Sequence, residues 1–191
     1  MVMKTVLMCS GSQRRDSHHQ NLLQHLSGLL ATHVQIDLVT PGEIDLPLFN
    51  QDLEMLPDIQ ARVMAVHARI SRADGLIIAS PEYNGMLTPY LKNLIDWVSR
   101  MQFIQSETAN AFADKPTLVC SVSTGWSGGA VGVNSAKALL SYVGCHVMGG
   151  AITVPQVAQI RTPMGFAFKE STQAEIVFNL QRLLNLLYPA L

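Results

Sequence analysis

The stretch Ser10-Gly11-Ser12-Gln13-Arg14-Arg15-Asp16-Ser17 joins an apolar run, Val6-Leu7-Met8-Cys9, to a segment of helical period. Hydroxyls at Ser10, Ser12 and Ser17, the N–H groups of a glycine-containing turn and the opening of a helix converge where an anion can sit, and Arg14 or Arg15 can neutralise it. That is phosphate-binding chemistry. Neither Gly-Lys-Ser/Thr nor G-x-G-x-x-G is present, so a P-loop and a dinucleotide fingerprint are both excluded, and a plain capped turn is the simpler alternative. Cys9 and Arg15 also stand at C-x5-R spacing, in which a thiolate attacks a phosphate ester that the arginine clamps. Such an enzyme also needs an acid for its leaving group, usually from an Asp-Pro loop, and the chain has no Asp-Pro dipeptide.

Two further loops carry chemistry. Ser80-Pro81-Glu82-Tyr83-Asn84-Gly85 follows the apolar run Leu76-Ile77-Ile78-Ala79. Pro81 fixes one φ, Gly85 frees another, and a flat heteroaromatic could stack on Tyr83 and bond to the loop amides; alternatively Tyr83 is a half-buried packing residue. Ser123-Thr124-Gly125-Trp126-Ser127-Gly128-Gly129 follows Thr117–Val122, and its three glycines allow a ligand edge to approach main chain. Trp126 either covers that ligand or packs between subunits. Six histidines are scattered without carboxylates at ligand spacing, so no metal site is expected, and no Ser-His-Asp assignment is made.

These loops need a scaffold that brings them together. Val6–Cys9, Val34–Val39, Leu76–Ala79, Thr117–Val122 and Ala151–Val154 read as strands, mostly apolar throughout as in a sheet covered on both faces, with the alternating second one at an edge. Between them the period is helical. Ser17-x-x-Gln20 matches a capping box ahead of Leu22, Leu23, Leu26 and Leu30. Ile59, Val63, Val66 and Ile70 line a second helix, and Leu91, Leu94, Ile95 and Val98, behind Thr88-Pro89, a third. A fourth runs from Ala130 to Tyr142, and Leu180, Leu183, Leu184 and Leu187 mark a last one. Alternating β and α predicts an α/β fold: a parallel sheet with helices on both faces and a ligand at the carboxyl ends of strands one, three and four. Thr40 to Pro57, which includes Pro41, and Pro155 to Lys169, which includes Pro163, read as irregular loops on the substrate side.

Composition narrows the function classes. A chain of 191 residues suits one domain, residues 1–191; 48% hydrophobic content and a net charge of −1 argue against disorder and against a nucleic-acid partner. Low charge leaves apolar surface for a second copy to cover, so a homo-oligomer is expected. No apolar run approaches the roughly 18 residues of a membrane span, the N-terminal run is interrupted too early for a secretory segment, and an odd set of three cysteines suits the reducing cytoplasm.

Taken in order, Gly11-Ser12-x-Arg14-x-x-Ser17, Pro81-Glu82-Tyr83-Asn84-Gly85 with Leu91-Lys92-Asn93-x-Ile95-Asp96-Trp97, and the loop ending Gly128-Gly129 resemble the NADPH-dependent FMN reductase family, flavodoxin-like flavoproteins that include quinone and chromate reductases. The likeness spans roughly Lys4 to Val154. It implies a doubly wound five-stranded sheet in the order 2-1-3-4-5, with Ser12, Arg14 and Ser17, beside Ser10, on the FMN phosphate. Pro81, Glu82, Tyr83, Asn84 and Gly85 would meet the isoalloxazine ring, and Ser123, Thr124, Gly125, Trp126, Gly128 and Gly129 its pyrimidine edge. The family's usual Asn is replaced by His19, which could donate to phosphate with pH-dependent affinity. The resemblance further implies ping-pong transfer from NADPH or NADH through FMN to free flavin, a quinone or another small acceptor, without a general base. It also implies a homodimer or homotetramer through the Thr88 to Arg100 helix. A flavodoxin-type electron carrier, the Cys9 and Arg15 phosphatase and a non-catalytic nucleotide-binding module are the alternatives.

Overall fold

The computed structural model describes residues 2–40, 42–105, 107–162 and 165–189; Pro41 and Pro163 of the two irregular segments lie outside them. Five parallel strands form the sheet: β1 (Thr5–Ser10), β2 (Gln35–Val39), β3 (Gly75–Ala79), β4 (Pro116–Val122) and β5 (His146–Val154), in the order β2-β1-β3-β4-β5. The expected order is found, with β2 at an edge. Alternation along β1 shows how both faces are filled: Val6 and Met8 enter one apolar layer, Leu7 and Cys9 the other. Helices α1 (His18–Leu30) and α6 (Glu170–Leu187) cover the first face with Leu22, Leu23, Leu26, Leu180 and Leu183. Helices α2 (Pro57–Arg72), α3 (Pro89–Ile104) and α4 (Ala130–Tyr142) cover the other with Ile59, Val63, Leu91, Ile95 and Ala136.

β5 begins five residues before the apolar run that announces it. Gly149 and Gly150 interrupt the strand pattern, and the register against β4 shifts there: Thr117 pairs with Val147 but Val119 with Ala151. The glycine has a packing reason, since a Cβ on Gly150 would lie 2.2 Å from Asn179 Oδ1 of α6. The second irregular segment contains a one-turn helix, α5 (Val157–Ile160), and a short antiparallel hairpin of β6 (Arg161–Thr162) and β7 (Gly165–Phe166), neither of which has a periodic signal long enough to read.

The first irregular segment is held against α3. Asn93 accepts from the Phe49 N–H at 2.7 Å and donates to the Pro47 carbonyl at 2.9 Å, which also takes the Trp97 indole N–H at 2.7 Å. Phe49 meets the Trp97 ring edge to face, and Arg100 holds Glu54 through both carboxylate oxygens, at 2.5 and 3.1 Å. Asn93, Trp97 and Arg100 are thus engaged with the chain's own loop. Asn93→Ala strips the Phe49 N–H of its acceptor and should cost about 1–3 kcal/mol, read as a lower urea midpoint. An unchanged midpoint would show that the loop is held by other contacts.

Candidate functional site

β1 has β2 on one side and β3 on the other, so the crossovers leave it in opposite directions and a crevice opens at its carboxyl end. Loops after β1, β3 and β4 meet there and share hydrogen bonds. Gly11 donates to the Ala79 carbonyl at 2.8 Å, and Thr88, the N-cap of α3, donates its hydroxyl to the Gly11 carbonyl at 2.7 Å. Gly11 must be glycine, because a Cβ would stand 2.9 Å from that Thr88 oxygen and 3.2 Å from Ser80 Oγ. Ser80 Oγ in turn accepts from Thr88 N–H and donates to the Pro81 carbonyl.

Loop one curls through successive serine turns, Ser12 N–H to Ser10 Oγ and Arg14 N–H to Ser12 Oγ, and delivers Ser17 as the N-cap of α1. Ser17 Oγ accepts from the N–H groups of His19 and Gln20. Only that half of the expected capping box is found; the Gln20 amide reaches the Val39 carbonyl instead. The first turn of α1 holds no acidic side chain, so its positive end is uncompensated from within the helix.

Loop two contains a tight hairpin. Tyr83 and Met86 exchange backbone hydrogen bonds at 2.9 and 3.1 Å, with Asn84 at φ 54° and Gly85 at φ 78°, both in the left-handed region that an Asn-Gly pair tolerates in such a turn. Asn84 and Gly85 shape the turn that presents Tyr83. Glu82 points elsewhere: its carboxylate accepts from Gly132 N–H at 2.7 Å and closes the first turn of α4.

Loop three departs further from expectation. Gly128 and Gly129 adopt φ 63° and 84°, and a Cβ on Gly129 would fall 2.1 Å from Ser121 Oγ, while one on Gly128 would press on the backbone of Val154 and Pro155. Gly129 thus admits the Ser121 side chain and Gly128 the main chain of Val154 and Pro155. Two of the loop's amides are engaged within it: Gly125 N–H donates to Ser123 Oγ and Gly129 N–H to Ser127 Oγ. Trp126 is 87% exposed and covers nothing in this chain.

Ser12, Arg14, Ser17 and His19, with Pro81, Glu82, Tyr83, Ser123 and Thr124, line one cleft of about 220 Å³. His18 and Val122 complete the wall and were missed, His18 because two adjacent histidines on a helix diverge and Val122 because it reads as strand core. Ser10 lies behind the wall as an acceptor for Ser12.

His19 corrects the sequence reading most directly. Its Nε2 accepts from the Val122 N–H at 3.2 Å and lies 3.5 Å from Ser121 Oγ, so the neutral ring carries its proton on Nδ1, and a bond to the Ser80 backbone lets it tie the ends of β3 and β4 together. Burial drives the imidazole down to about 3, so it is neutral near pH 7 and brings no positive charge to a phosphate. Cys9 is 1% exposed and burial pushes its thiol up to about 12, which removes the thiolate that the phosphatase alternative requires. Among the described residues no group of His, Cys, Asp or Glu is arranged to hold a metal, and no helix is long and apolar enough to cross a membrane.

Comparison with known proteins matches residues 3–159 to the family described as NADPH-dependent FMN reductase. An NADPH:quinone oxidoreductase of Arabidopsis thaliana is 37% identical over 65% of this chain, which spans 60% of that protein. A quinone reductase of Escherichia coli K12 is 30% identical over 75% of this chain and 72% of its own. Among solved structures, the flavoenzyme NAD(P)H:(acceptor) oxidoreductase FerB from Paracoccus denitrificans superposes with a TM-score of 0.81 at 28% identity, covering 97% of both chains.

The His19 assignment has a pH signature. Unfolded, the imidazole takes a proton below its ordinary value of 6.5; folded, only near 3. Between those values the unfolded chain binds the extra proton, so stability falls as pH falls through that window. His19→Asn should remove about 2 kcal/mol of the stability lost between pH 7 and 5, measured by urea unfolding. Equal losses in both proteins would mean the ring is not held neutral.

Proposed function

The chain belongs to the NADPH-dependent FMN reductase family, and from that premise we propose that the three-loop cleft holds FMN and reduces free flavin or a quinone with electrons from NAD(P)H. The observation that carries this reading is the union, in one cleft, of an anion cradle and an aromatic wall. Ser12 and Ser17 hydroxyls, the Arg14 guanidinium and the open end of α1 suit a phosphate dianion; Pro81 and the half-exposed Tyr83 suit the edge and face of a flat ring. The residues present therefore fit FMN.

FMN held there would supply the redox chemistry, with NAD(P)H and the acceptor using the same cleft in turn, a ping-pong order. The chain's part is positional and electrostatic. Ser12, Arg14 and Ser17 anchor the phosphate end, Tyr83 bounds the ring on the hairpin that Asn84 and Gly85 create, and Ser123 and Thr124 form the opposite wall. No side chain is required as general base, and His19, in the wall of the cleft, serves as a neutral brace. His19 therefore enters the site as a positioning residue, in place of the phosphate donor that the resemblance suggested. An NAD(P)H-oxidising enzyme is favoured over a passive carrier because the loops that line the cleft carry exposed apolar residues, Tyr83 and Met86 on loop two and Trp126 on loop three, available to a second planar substrate. Subunit pairing belongs to the same reading: Phe103 on α3, with Leu48 and Met55 on the segment α3 holds, offer exposed apolar surface for a second copy. Three buried free thiols suit a reducing cytoplasm.

Arg14→Ala should weaken FMN about tenfold or more and leave riboflavin, which lacks the phosphate, nearly unchanged, as read by flavin fluorescence titration. Equal FMN affinity in the variant removes the phosphate assignment. Anaerobic NADPH added to the FMN-loaded protein should bleach the flavin absorbance within a catalytic lifetime; a band that persists with NADPH and with NADH would leave the electron-carrier reading.

A further inference from the structure

The phosphate loop contains a charge of the wrong sign. Asp16 sits between Arg14 and the helix cap Ser17, two residues that line the cleft, and a carboxylate there opposes a phosphate dianion. It is answered from a distant part of the chain: Arg161, the first residue of β6, places Nη2 2.6 Å from Asp16 Oδ1. Its Nη1 stands 3.3 Å from His18 Nδ1, and since a guanidinium can only donate, His18 accepts through that nitrogen. Arg161 lies just past residues 3–159, the segment shared with the family. The pair is solvent-exposed, with 70% of the Asp16 side chain accessible, so its contribution to folding stability is small.

We propose that Arg161 is a positioning residue for anion binding: it holds the Asp16 carboxylate away from the cradle and masks its charge, so that the β6–β7 hairpin sets the affinity of the site for the phosphate of its ligand. This rests on the FMN reading above. The local charge balance makes the case. With Arg161 in place, three guanidinium groups, Arg14, Arg15 and Arg161, stand on and beside the loop against the Asp16 carboxylate, while the second carboxylate of the cleft, Glu82, is bonded to α4. Without it, Asp16 is released and Arg14, which already donates to the Asp16 carbonyl at 3.2 Å, becomes the nearest cation to that carboxylate. Removal of Arg161 therefore acts twice, by subtracting a positive charge and by drawing Arg14 toward Asp16. His18 follows, since it lines the cleft and loses the donor that fixes its ring. The hairpin, which carries no recognisable motif, thereby acquires a function through one side chain.

The test is a double-mutant cycle on the flavin-free full chain, titrated with FMN and with riboflavin by fluorescence quenching. Arg161→Met should weaken FMN about tenfold and leave riboflavin within about twofold, since only the charged ligand senses the unmasked carboxylate. Asp16→Asn added to Arg161→Met should recover most of the lost FMN affinity. Three outcomes overturn the proposal. FMN and riboflavin weakened equally would mean that the hairpin only shapes the cleft. Loss without recovery on Asp16→Asn would mean that Arg161 contacts the ligand itself. An unaffected Arg161→Met beside a weakened Arg14→Ala would dismiss Arg161 alone, whereas FMN binding unaffected by either change dismisses the phosphate assignment as a whole.

Discussion

A single uncharged ring holds the site together. His19 accepts from the Val122 N–H and bonds the backbone of Ser80, and through those contacts the ends of β3 and β4 are kept at one spacing beneath the loops that follow them. Protonation of that ring would place a second N–H against the Val122 N–H, so the geometry and the neutral state require each other. Around this brace the Thr88, Gly11 and Ser80 contacts fix loop one against loop two, and Glu82 fixes loop two against α4. The cleft is consequently a property of the hydrogen-bond network that joins three loops, rather than of any one motif.

The fold was legible because a sheet buried on both faces imposes long apolar runs, and five such runs alternating with helical periods admit few topologies. The site was legible in outline for the same reason: Ser12, Arg14, Ser17, Tyr83 and Ser123 sit where strand ends must converge. What escaped was decided in three dimensions. Gly128 and Gly129 are read naturally as room for a ligand, yet a Cβ there would meet Ser121 at the end of β4 and Val154 and Pro155, which come close only when β4 and β5 pair. Glu82 and His19 are polar residues in a polar motif, and nothing in their spacing tells that one closes a helix and the other braces two strands.

The block around Asn93 and Trp97 shows a related division. Its residue types look like site chemistry, but their partners are Pro47 and Phe49, on the irregular segment that flanks the sheet. A segment without periodic structure is thus given a fixed course by side chains projecting from a regular helix, which is why α3 carries so many polar groups on a face turned toward protein. The segment after β5 shows the same economy on the opposite side, where Val157 N–H bonds the Ser123 carbonyl and Gln156 N–H the Gly125 carbonyl, so that loop three is steadied from behind.

The carboxylate of Glu82 on the first turn of α4 gives the cleft a polarity. Two helices begin beside it. The end of α4 is quenched by an anion that the protein itself supplies, while the end of α1 is capped by the neutral Ser17 hydroxyl and has Arg14 beside it. An elongated ligand with one charged and one neutral terminus therefore meets a binding surface with a built-in compass: its anionic tail is drawn to α1 and its uncharged head toward α4, and the reversed pose sets anion against anion. The two helix starts thus favour one orientation of a two-ended molecule over its reverse.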